Sequence, residues 1–149
     1  MKPLSLEMQH DHGRCDALFA HAEAAADAGQ WTDCATRTEA FVQAMANHFA
    51  LEETVLFPAF EARTGMAGGP TQVMRQEHDQ LRGLLGRFKT AAEMADAAQF
   101  ADLAETLLIL MQQHNLKEEH ILYPMCDDVI GDDPGVREAV AGLGAQVIV

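Results

Sequence analysis

Four histidines and two glutamates recur in this chain at one fixed offset. His12 and His78, His48 and His114, and Glu52 and Glu118 each stand 66 residues apart. Their neighbours obey the same rule: Met8 and Met74, Glu53 and Glu119, Leu56 and Leu122, Phe57 and Tyr123, Pro58 and Pro124. The segment HFALEETVLFP (48–58) thus restates itself as HNLKEEHILYP (114–124). A hydrophobic core repeats apolar positions and has no reason to repeat imidazoles and carboxylates. In a helix, residues four apart stand one above the other. His48 with Glu52, and His114 with Glu118, therefore each offer a nitrogen and a carboxylate on one face. His12 and His78 add a third group to each half. Two-fold pairing gathers four nitrogens and two carboxylates about one centre, the make-up of a two-metal site inside a helical bundle. Imidazole suits iron, zinc, copper and nickel, whereas carboxylates that bridge favour iron or manganese; Zn and Mn stay open as substitutes for iron. Six protein ligands shared by two ions leave coordination positions for a small exogenous ligand. Unpaired, these groups would be costly to bury; metal binding converts that cost into folding free energy.

The elements that must position them are helices. Four segments carry helical periodicity: about Ser5 to Asp27, Thr32 to Arg63, Pro70 to Ala95 and Gln99 to Val129. Their inner stripes are His12, Cys15, Leu18, Phe19 and Ala22; Phe41, Val42, Met45, His48, Phe49, Glu52 and Leu56; Met74, His78, Leu81, Leu84, Leu85 and Phe88; and Leu107, Leu108, Met111, His114, Glu118 and Leu122. Short connections predict an all-α, up-down-up-down four-helix bundle with an internal pseudo-two-fold repeat, as a single domain over 1–149. The bundle spans about 5–129. The tail, 130–149, is expected to add a short helix starting at Pro134 with Asp133 as its cap. Its apolar end, QVIV (146–149), packs either on the bundle or on a partner. Pro58 and Pro124 each remove a helix hydrogen bond, which predicts a kink or an early end just outside the metal zone.

Other polar and soft residues read as supporting players. Glu53 and Glu119 lie about 100° around the helix from Glu52 and Glu118, which suits holding a ligand in place or a surface ion pair. His10, His21 and His120 fall off the inner faces and are expected in solvent. Met8 and Met74 read as walls of the site, Phe57 and Tyr123 as packing beside the prolines, Cys15 as a buried inert thiol, and Trp31 as packing in the first connection.

A net charge of −13 repels phosphate backbones, so neither nucleic acid nor an anionic membrane is an expected partner. Three cysteines, with no CxxC, argue against a disulfide framework and for a reducing compartment. The N-terminus has no apolar signal core, and the longest purely apolar run, Leu107 to Met111, is far too short to span a bilayer. A cytoplasmic location follows as the expectation.

Taken together, the lone His12, HFALE (48–52), EHDQLR (77–82) and HNLKE (114–118) closely resemble the hemerythrin-like, or HHE cation-binding, family, over roughly residues 5–129. The resemblance implies a non-heme diiron centre, with two Fe ions joined by an oxo or hydroxo group. His12 and His48 would hold one iron, His78 and His114 the other, and Glu52 and Glu118 would bridge them. It implies binding or sensing of O2 or a related small oxidant such as NO or peroxide. Turnover of peroxide or NO, and iron handling, donation or repair after oxidative or nitrosative stress, are the alternatives. Two departures bear on the choice. O2 carriers of this family place a fifth His one turn before the third-helix His, where this chain has Met74; they also end in HxxxxD, where this chain has Glu118 four residues after His114. Both speak against reversible O2 carriage by one five-coordinate iron. With no output module in the chain, sensing would call for a homo-dimer or a separate redox or output partner.

Overall fold

The structure is a computed structural model and describes residues 2–144. Helix α1 (Leu4–Asp27) ends in a turn where Gly29 adopts φ 69°, and α2 (Trp31–Leu51) returns alongside it. α2 passes through a π turn (Glu52–Leu56) into α3 (Phe57–Thr64), which stops at Gly65 in the left-handed region, φ 74°. That conformation costs a glycine little, which is why the chain turns there. Pro70 opens α4 (Pro70–Glu93), where its missing N–H is no loss. α5 (Ala97–Lys117) is capped by Asp96, whose side chain accepts from the Gln99 amide at 3.1 Å. A second π turn (Glu118–Leu122) leads into α6 (Tyr123–Ile130), and α7 (Pro134–Gly144) follows. Asp133 caps α7 as expected, accepting from the amides of Gly135 and Val136.

The result is an all-α bundle, with no strand among the described residues. Its four rods are α1, α2 with α3, α4, and α5 with α6. α7 folds back onto α1 and α2. The QVIV end lies outside the described residues. No helix among the described residues is long and apolar enough to cross a membrane.

The prolines act closer to the site than the sequence suggests. The Phe57 amide donates to the Glu52 carbonyl and the Tyr123 amide to the Glu118 carbonyl, five residues back instead of four. In a regular α-helix a proline ring meets the carbonyl four residues before it and supplies no N–H. Widening the turn ahead of Pro58 and Pro124 accommodates the ring. The expected distortion outside the metal zone therefore lies inside it, beginning at the two glutamates themselves.

Two apolar clusters sandwich a polar layer. On one side Phe19, Phe41, Phe88 and Phe100 interlock with Leu85, Leu107 and Met111; the Phe88 and Phe100 rings stack at 4.4 Å. On the other, Leu4, Met8, Leu56, Phe57, Phe60, Met74 and Leu122 pack with Val136 and Val140 of α7. Met8 and Met74 are thus buried beside the site, as expected, and Trp31 sets its ring edge-on against Phe100. Leu108 is not inward as its periodicity implies. It is 39% exposed, because α1 and α5 touch sparsely at that level and leave a groove lined by Phe19, Leu108, Met111 and Leu116.

Candidate metal centre

All six residues singled out by the repeat are buried in the polar layer. They converge as two groups of atoms, each within 4.8 Å: Glu52, His78, His114 and Glu118 in one, and His12, His48 and Glu118 in the other. His78 Nε2 is 3.2 Å from Glu52 Oε1, and His114 Nε2 is 3.3 Å from Glu118 Oε2. In the other group, His12 Nε2 is 3.1 Å from Glu118 Oε1, and His48 Nε2 is 3.5 Å from Glu52 Oε1. Adjacent donors on one small ion, with bonds of about 2.1 Å, stand about 3 Å apart. Glu52 Oε1, Glu118 Oε2, His78 Nε2 and His114 Nε2 are buried and make no hydrogen bond. Orphaned buried polar atoms are costly, and four that share one centre fit a cation.

Each imidazole is held from behind by a carboxylate at Nδ1. Asp11 Oδ2 lies 2.7 Å from His48 Nδ1, and Glu77 Oε1 lies 2.8 Å from His114 Nδ1. Glu119 Oε2 lies 2.6 Å from His12 Nδ1, and Glu53 Oε2 lies 2.8 Å from His78 Nδ1. A proton on Nδ1 frees the Nε2 lone pair to face the centre, the arrangement that orients metal-bound histidine. Glu53 and Glu119 thus serve the holding role expected of them. Asp11 and Glu77 went unread in the sequence, although they too are 66 residues apart and each immediately precedes a histidine. Cations back most of these carboxylates: Arg14 on Asp11, Lys117 on Glu77, and a two-pronged Arg82 on Glu53 at 2.7 and 3.0 Å.

The protonation balance shows how strongly this pocket attracts positive charge. Burial pulls the His78 imidazole down, but the neighbouring Glu118 and Glu52 carboxylates outweigh it and lift it to about 9. For His48, burial is likewise outweighed, by Glu52 and Asp11, and it sits well above the usual imidazole value. His114 is raised too, with Glu118 prevailing over burial. Burial pushes Glu118 up, yet hydrogen bonds from its neighbours bring it well below the usual carboxylate range.

Tyr123 is the residue misjudged by the sequence reading, which expected packing beside Pro124. Its ring does pack, 5.6 Å from that of His12, but its hydroxyl lies inside the centre. The Oη atom donates toward Glu52 Oε2 at 2.7 Å and Glu118 Oε1 at 2.9 Å, and lies 3.1 Å from His48 Nε2 and 3.2 Å from His12 Nε2. Phe57, its counterpart in the repeat, does only what was expected of it, stacking 5.8 Å from His78. His10, His21 and His120 are exposed, as read. Cys15, Cys34 and Cys126 are buried and free; burial raises the Cys15 thiol and pushes that of Cys126 up to about 12, which leaves both protonated and inert.

Comparison with known proteins finds that the family model of the hemerythrin HHE cation binding domain matches residues 5–126. No curated protein and no solved structure matches the chain.

Proposed function

Because the chain belongs to the hemerythrin HHE cation-binding family, we propose that it is a non-heme diiron protein that binds or senses O2 or a related small oxidant, NO or peroxide. His12 and His48 would hold one iron, His78 and His114 the other, and Glu52 and Glu118 would be shared. The observation that carries this reading is the convergence of buried, orphaned nitrogen and oxygen atoms on one centre, each imidazole oriented from behind. Bound there, a pair of irons would supply one-electron redox chemistry and coordination positions for an exogenous ligand. The chain's own residues fix the rest. Asp11, Glu53, Glu77 and Glu119 hold the rings, and the two apolar clusters keep bulk water away. A small cavity of about 180 Å³ on the α4–α5 side lies against His114 and Glu77 and is lined also by Gln113 and Lys117. That space would accommodate a diatomic molecule or peroxide. Complete burial of Glu52, His78 and Glu118 favours retained ions over iron donation.

Metal content per chain tests the reading. Protein purified anaerobically and then titrated with air is expected to hold two irons and to gain the charge-transfer absorption of an oxidised iron pair. One zinc, or no metal after Fe(II) reconstitution, would refute it. Multiple-turnover consumption of peroxide or NO, with the centre regenerated, would move the protein from binding to catalysis.

A further inference from the structure

We propose that the Tyr123 oxygen is a ligand of the ion held by His12 and His48, so that the two metal positions differ by one phenolate. The inference rests on the metal-centre reading above. Oη of Tyr123 has four polar neighbours at 2.7–3.2 Å, and all four belong to groups assigned as metal ligands. A phenol carries one proton, so it cannot satisfy the Glu52 and Glu118 carboxylates together. Placing a cation among these atoms removes the conflict, since every group then offers a lone pair to the same charge. The separations are also those of neighbouring donors on one small ion, about 3 Å. The side chain is 1% exposed and its ring lies against that of His12, which keeps the oxygen turned into the centre. Across the repeat, Phe57 brings a ring to His78 but no oxygen.

Coordination forms one metal–oxygen bond and releases the phenol proton to solvent; no electron is transferred. The added anionic ligand would favour the ferric state of an iron held by His12 and His48.

The chain contains one tyrosine, so any tyrosinate signal reports Tyr123 alone. Wild-type protein and Tyr123→Phe would be reconstituted with Fe(II), oxidised with ferricyanide, and read by iron content, visible absorption and resonance Raman. The expected result is two irons per wild-type chain, with tyrosinate ring modes and a phenolate-to-ferric charge-transfer band. Tyr123→Phe, which installs the residue used by the other half, lacks both signals. Two irons without tyrosinate modes in the wild type overturn the inference and leave the diiron reading standing. One iron in the wild type and two in Tyr123→Phe also overturn it, because the phenol would then be a plug. No iron in either protein overturns both. The wild-type spectrum decides the question even if the variant fails to fold.

Discussion

Around His78 and His114 the supporting carboxylates face cations, Arg82 on Glu53 and Lys117 on Glu77, and the closing ring is Phe57. Around His12 and His48 the closing ring is Tyr123, and the position that the repeat relates to Arg82 is Asp16. Asp16 is raised by its partial burial and by Glu119, with His12 opposing. The four histidines and two glutamates match between the halves; the closing ring and the Arg82/Asp16 position do not. The repeat preserves the groups that converge, while the layer around them differs, so two ions bound there would each meet a different field.

The largest expected effect comes from Glu118, the residue common to both groups of donors. Glu118→Ala is expected to abolish binding of both ions, whereas His114→Ala loses only the one on its side; elemental analysis of the two variants would distinguish these. Two ions retained in Glu118→Ala would show that the halves bind independently.

Next is the response of the metal-free chain to pH. His78 is raised in the fold from 6.5 to about 9. Its contribution is therefore fully present below pH 6.5 and is lost as pH climbs through about 9. Urea unfolding of metal-free protein should show stability falling by up to a few kcal/mol across that window. The metal-loaded protein should lack this decline, since the ion takes the place of the proton on Nε2. Parallel profiles for the two forms would remove His78 from the centre.

A subtler pair compares the carboxylates behind the rings. Glu53→Gln and Glu119→Gln are each expected to weaken metal binding about 10- to 100-fold, read by chelator competition. Glu53→Gln should have the larger effect, because it also removes the two-pronged ion pair with Arg82. Equal losses would mean that the cations contribute nothing to the difference between halves. Smallest of all, Arg82→Ala removes a side chain that is 41% exposed, so metal-free stability should change by about 1 kcal/mol or less. A larger drop in thermal unfolding would show that Arg82 anchors the Glu53–His78 pair.

Much of this was legible in the residues alone. Helical periodicity marked the four rods and their inner faces, and the 66-residue offset selected the six groups that converge. What escaped depended on distances between rods or on a local change of helix type. Leu108 looked inward because it follows Leu107, but the sparse contact of α1 with α5 decides its exposure. Asp11 points away from His12 along its own helix and finds its partner on α2. Tyr123 follows Glu118 by five, a spacing that in an α-helix puts the two about 140° apart. The π turn rotates them onto one side, and only Pro124 hinted at it.

The carboxylates behind His12 and His78 come from opposite halves of the chain: Glu119 reaches back to the first, and Glu53 reaches forward to the second. Pulling the halves apart would break both pairs together and leave both rings free to turn. Docking of the halves and retention of any ions bound between them would thus be a single equilibrium, with the centre as the clasp that closes the bundle.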